Sequence, residues 1–265
     1  MAELLQNLIK HTTSGLRVVE EEVAKGRTFP QGVETIVQQM GEVQVLFADE
    51  DARAIFDDEQ PILLVANHAF AAPLAVLAAV ARRKHNDIYI FADAIFSPLM
   101  SEPIQEHLLP VQKKGKSHTR TLSPGFILSR LVRSDMPDEE RRRRNQQSLE
   151  QAADIIQAKG MVILFPSGDN NDVWKQGVGR LVKDLLHKCI PFHLVAAQVR
   201  GTEQIDTFRL LGPKLSRRLL GEFTPQVTFV SMNESLHDED TLLTLSSDDV
   251  VRRLHQQYAL AFTGS

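Results

Sequence analysis

Residues 61–92 read PILLVANHAFAAPLAVLAAVARRKHNDIYIFA, and the succession of textures inside this stretch decides the fold. Ile62–Ala66 is an unbroken apolar run of strand length, and Asp87–Ala92 is a second run of the same kind. Between them Pro73–Lys84 has the length and composition of a helix. Strand, helix and strand in succession form a crossover unit, which makes the two strands parallel.

The alternation continues towards the C-terminus. A weaker strand is expected at His107–Val111, a helix with a polar start at Met136–Lys159, and a buried strand at Met161–Phe165. A helix follows at Gln176–Lys188, then strands at Ile190–Val199 and Gln226–Val230, and a closing helix at Asp248–Phe262. The expectation is an α/β fold with a mostly parallel central sheet flanked by helices. Towards the N-terminus the texture changes. Leu4, Leu5, Leu8, Ile9, Leu16, Val19 and Val23 recur at helical spacings, and a mixed helical pattern resumes from Val33 to Phe56. Residues 1–58 therefore read as an N-terminal helical segment and 59–265 as the α/β domain. The N-terminal stripe either packs on its own domain or lies on a membrane surface.

Composition narrows the function. With 265 residues, 43% hydrophobic and 24% charged, the chain suits one large domain. Its net charge of −4 hides a basic island: residues 113–144 hold ten Lys/Arg against four Asp/Glu, which leaves −10 for the rest. Such an island suits phosphates, an acidic carrier protein or an anionic membrane, or else a solvated loop and helix face. Overall acidity and the lack of any nucleic-acid module signature argue against nucleic acid as a partner. No apolar window reaches the length of a membrane span, and the start does not read as a signal peptide. A single cysteine, Cys189, excludes a disulfide framework and reads as a small buried hydrophobe. The expected location is cytoplasmic, either free or peripheral on the inner face of a membrane.

Ligands of open α/β sheets gather at the carboxyl ends of strands. Three expected strand ends carry distinctive residues: Asn67-His68 after the first, Gln112-Lys113-Lys114 after His107–Val111, and Pro166-Ser167-Gly168-Asp169 after Met161–Phe165. His68 is the best general-base candidate, since imidazole titrates near neutrality. A histidine that caps or packs the following helix is the alternative.

The order of these blocks resembles the glycerolipid acyltransferase superfamily, which includes glycerol-3-phosphate and lysophosphatidic acid acyltransferases. Asn67-His68 stands where that family has Asn-His-x-x-x-x-Asp. Leu109-Pro110-Val111-Gln112-Lys113 occupies its second block, and Phe165-Pro166-Ser167-Gly168 matches Phe-Pro-Glu-Gly. Trp174-Lys175-Gln176-Gly177 is similar to Phe-Lys-x-Gly, and Ile190–Val195 to a late Val-Pro-Ile-Val-Pro strand. The similarity covers residues 60–200. It implies transfer of an acyl group from acyl-CoA or an acyl carrier protein to a hydroxyl or amine acceptor, among them glycerophospholipid precursors, with no cofactor and no metal. His68 would be the base, with backbone amides near Ala69 or Gly168 as the oxyanion site. Asn67, Pro166, Ser167, Gly168 and Asp169 would meet substrate, and Lys113, Lys114 and Arg120 its anionic part. An acidic carrier protein would suit Arg141–Arg144.

Three departures accompany the matches. Pro73 replaces the carboxylate that orients the histidine, a loss on the order of 10⁴ in kcat in the protease triad. Asp93 and Asp169 are the candidates to replace it. Ser167 stands for the motif's glutamate, and Gln112-Lys113-Lys114 for its usual arginine. The same departures define the alternative, a non-catalytic relative that binds a lipid, an acyl thioester or a protein partner. Other readings are weaker. Ser167 lacks the flanking glycines of a nucleophile elbow, although Asp172, His187 and His193 are near in sequence. Gly177-Val178-Gly179 lacks the third glycine of a dinucleotide loop, and no His-Glu-x-x-His pair exists.

Overall fold

The computed structural model describes residues 14–40, 43–67, 72–81, 87–94, 97, 100–113, 136–167, 173–201 and 224–263. Its elements in chain order are α1 (Ser14–Ala24), α2 (Phe29–Met40), β1 (Gln44–Phe47), α3 (Glu50–Asp57), β2 (Ile62–Ala66), α4 (Ala72–Ala81), β3 (Ile88–Asp93), α5 (Glu102–Gln105) and β4 (Leu108–Val111). There follow α6 (Asp138–Gln157), β5 (Met161–Leu164), α7 (Gln176–His187), β6 (His193–Arg200), β7 (Gln226–Ser231), a 3-10 turn at Asn233–Leu236, α8 (Glu239–Thr244) and α9 (Ser247–Phe262).

The strands form one sheet in the order β1-β7-β6-β2-β5-β3-β4. Every neighbouring pair is parallel except β6 and β7. The α/β fold expected from residues 61–92 is present. Strand β2 is buried along its whole length, and alternation sends Ile62, Leu64 and Ala66 to one face and Leu63 and Val65 to the other. Both faces need cover, which is why the run is continuous rather than alternating. Helices α1–α4 cover the first face and α6–α9 the second. Helix α4 has hardly a polar side and sits between the sheet and α2. Strand β4 is an outer strand, and Pro110 lies within it, a position that edge strands tolerate.

The N-terminal segment differs from the expectation. Residues 44–47, read as part of a helical pattern, form an edge strand that pairs with β7, and Asp49 caps the helix after it. Residues 44–47 thus belong to the sheet, and α3 packs against β7 and β1 beside them. A four-residue strand leaves too few positions for its period to show. Of the N-terminal stripe, Val19 is fully buried and Val23 packs on the core. Leu4, Leu5, Leu8 and Ile9 lie outside the described residues, as does the side chain of Leu16. Among the described residues no helix is long and apolar enough to cross a membrane.

The Gly177-Val178-Gly179 stretch is a packing feature. A Cβ on Gly179 would fall 2.4 Å from the Ser247 carbonyl oxygen and 2.8 Å from Val251, so glycine lets α7 and α9 cross closely. Cys189 corrects its reading as a buried hydrophobe: it is exposed, with φ +50° in the turn after α7.

Candidate functional site

Because β6, β2, β5, β3 and β4 run parallel, their carboxyl ends share one edge of the sheet. The chain leaves β2 for α4 on the first face and β5 for α7 on the second, although the strands are neighbours. Their crossovers run in opposite directions, β2 to β3 past β5 and β5 to β6 past β2, which puts the connecting helices on opposite faces. Adjacent strands whose connections part in this way open a crevice, the topological switch point where α/β sheets take ligands. The β2–β5 ladder ends at the Val65–Leu164 pair, so the crevice opens just beyond it. Asn67 lies two residues past it on one side, and Pro166-Ser167 two and three residues past it on the other.

Asn67 is held by β6. Its Oδ1 accepts the Val199 N–H at 2.7 Å and its Nδ2 donates to the Val199 carbonyl at 3.1 Å. The amide stands in for one more peptide unit of the ladder, and the main chain is free to leave the sheet at the next residue. That residue is His68. His68 itself, Ala69, Lys114, Arg120, Gly168, Asp169 and Asp172 lie outside the described residues. Pro73 is the second residue of α4, in the first turn, where a missing N–H costs nothing.

On the β5 side, the Pro166 carbonyl accepts the Lys175 N–H at 2.8 Å and pins together the ends of the 166–175 loop. Ser167 is only 2% exposed. Trp174 is buried and packs on α9, with its ring 5.2 Å from His255 and 5.2 Å from Tyr258. Tyr258 reaches the same edge, and its hydroxyl donates to the Ala197 carbonyl at 2.9 Å. The sequence reading missed Tyr258 because it lies 191 positions from Asn67 on a helix that reads as ordinary core packing.

Asp93 ends β3 and Lys113 lies two residues past the end of the neighbouring strand β4, and their charged groups stand 3.6 Å apart. The Lys113 and Asp93 side chains are 29% and 12% exposed, and the carboxylate partly balances the lysine charge. Asp93, one of the two candidates to replace the missing motif carboxylate, is the last residue of β3. With β5 between them, β3 and β2 are about 10 Å apart, two strand spacings. The adjoining Gln112 is clamped by Asn145 of α6, which accepts its N–H at 2.7 Å and donates to its carbonyl at 3.1 Å.

The arginine run of α6 pairs along its own helix: Arg141 with Asp138, and Arg143 and Arg144 both with Glu140. Hydrogen bonds from Arg143, then from Arg144, lower the Glu140 carboxyl to about 2. This part of the basic island is a solvated ion-pair array of the kind worth little individually.

Geometry removes the hydrolase reading for His193. That residue starts β6 at the opposite, amino edge, where Nε2 meets Asp58 at 3.0 Å and Nδ1 meets Asn233 at 2.8 Å. Among the described residues no group of three His, Cys, Asp or Glu side chains could hold a metal ion.

No protein-family model matches the sequence, and no curated protein matches it significantly. Among solved structures, the chain is similar to the 1-acyl-sn-glycerophosphate (LPA) acyltransferase PlsC from Thermotoga maritima. The match covers 96% of this chain and 94% of that one, at 13% identity and a TM-score of 0.41. A likeness of that size decides neither fold nor activity; the fold rests on strand order and register.

Proposed function

We propose that the crevice between the carboxyl ends of β2 and β5 is an acyl-transfer site. It would move an acyl group from a thioester, acyl-CoA or an acyl carrier protein, to a hydroxyl or amine acceptor. One observation carries this reading. The three motif-bearing segments, far apart in sequence, all leave the same edge of the sheet, two of them on either side of the switch point. In the proposed reaction His68, the residue after the clamped Asn67, takes the acceptor proton as the nucleophile attacks the thioester carbonyl. It returns that proton to the departing thiolate. Lys113, on the same edge, supplies a point charge for an anionic part of donor or acceptor, and Lys114 and Arg120 join it.

The second reading is a binding module on the same scaffold, and the position of Asp93, two strands away from β2, favours it. Thioester turnover by the full chain, crossing acyl-CoA and acyl-carrier-protein donors with glycerol-3-phosphate, lysolipids and amines, separates the two. Turnover lost in His68→Ala supports transfer. Thermal stabilisation by acyl-CoA with no turnover in any pair supports the binding module.

A further inference from the structure

Strands β2 and β6 begin to part at Asn67. Its N–H is 3.4 Å from the Ala197 carbonyl, at the long end of hydrogen-bond range. The Tyr258 hydroxyl fills that opening: it donates to the same carbonyl at 2.9 Å, so the hydroxyl and the Asn67 N–H share one acceptor at the strand end. A buried hydroxyl here does what an ordered water does between splayed strands, but it is fixed to a helix. Burial pushes the Tyr258 phenol well above its ordinary value, with the Asn67 N–H drawing it partly back, so it stays a donor at neutral pH. The same stretch of α9 holds the other wall of the crevice, because Trp174 packs on His255 and Tyr258 and Lys175 closes the loop onto Pro166. The ring packs on Trp174 and Phe262, and only the hydroxyl reaches the strand end.

We infer that Tyr258 is a positioning residue of the crevice and that α9 sets the two segments flanking it in register. This rests on the reading of that edge as the active site. Chemistry at such a site depends on how the chain leaves β2, since displacements of about 1 Å can cost 10²-fold in rate.

Tyr258→Phe removes the hydroxyl and leaves the ring. Amide hydrogen exchange and chemical shifts, measured on the full chain, read its effect without any substrate. The expected result is exchange about tenfold faster at the Asn67 amide, the scale of one hydrogen bond. Shift changes should be confined to the ends of β2 and β6 and to residues 166–175. Asn233→Ala, which loosens the opposite edge, serves as the control for mere destabilisation and should leave the Asn67 amide unmoved. With a donor–acceptor pair in hand, kcat should fall about tenfold while KM stays within about twofold. An unchanged Asn67 amide in Tyr258→Phe, an equal change in Asn233→Ala, or unchanged kcat despite a perturbed amide would overturn the inference. Absence of turnover in the wild type defeats the acyl-transfer reading instead, and the amide measurements still decide whether Tyr258 positions the strand end.

Discussion

The two edges of the sheet are built from the same side chains and put them to different use. At the amino edge Asn233 accepts the Leu194 N–H at 2.9 Å through Oδ1, which turns its NH₂ towards His193 Nδ1. His193 Nε2 is then the protonated nitrogen and donates to Asp58. Each polar atom of the chain Asn233–His193–Asp58 has a partner, and both imidazole nitrogens are occupied. At the carboxyl edge Asn67 also closes a ladder, but the histidine follows it in sequence as the chain departs the sheet. Residue type therefore teaches little here; what separates the edges is whether the asparagine divides its amide between strand and histidine, as Asn233 does, or gives both atoms to the strand, as Asn67 does.

The strongest way to break this contrast is to remove each histidine in turn. His68→Ala should lower thioester turnover by about 10³-fold, within the range of general-base losses, with thermal stability nearly unchanged. His193→Ala should do the reverse, lowering Tm while kcat stays within about twofold. Parallel turnover and melting curves check both, and similar losses from the two variants would erase the distinction.

The asparagines sharpen it next. Asn67→Ala and Asn233→Ala each leave backbone groups without partners, so each should cost about 1–3 kcal/mol in urea unfolding. Only Asn67→Ala should also depress turnover, because only its clamp lies at the crevice.

A smaller effect is expected from acid. The hydrogen bond from His193 holds the Asp58 carboxyl below its ordinary value. A folded value below the unfolded one contributes stability that is complete above about pH 4 and lost as the pH falls through the folded value. Asp58→Asn should therefore flatten the acid limb of Tm against pH, with its largest effect on Tm above about pH 4 and a shrinking one as the pH falls through the folded value. A wild-type and variant difference that grows as the pH falls would sink this assignment.

Smallest of all is Glu140. Arg143 and Arg144 lower its carboxyl from 4.5 to about 2, so its contribution fades as the pH falls from 4.5 to about 2. The pairs are exposed, so Glu140→Gln should shift Tm at neutral pH by a degree or less, and by less still in 0.5 M salt.

Much of this architecture was legible residue by residue. The run Ile62–Ala66 announced a strand covered on both faces, and Met161–Phe165 did the same for its neighbour, which ends one residue earlier at Leu164. The placement of Asn67, Lys113 and Pro166-Ser167 at strand ends followed from those runs, since a chain must leave a strand where its apolar run stops. Strand β1 was not legible, because four residues on an edge look like any short apolar patch. The pairing of Lys113 with Asp93, the burial of Ser167 and the exposure of Cys189 were not legible either, since each depends on which strand lies beside which.

By itself the sequence determined the classes of element, their order and the chemistry available at each strand end. These follow from local periodicity, which the chain carries along its own length. Only the tertiary structure decided that β2 and β5 are neighbours with connections on opposite faces, that Asp93 is two strands from Asn67, and that Tyr258 reaches Ala197 from the last helix. Those depend on strand order and helix docking, where the free energy lies in contacts between segments far apart in sequence, 61 residues for Tyr258 and Ala197 and 99 for Ile62 and Met161, and no local pattern records them.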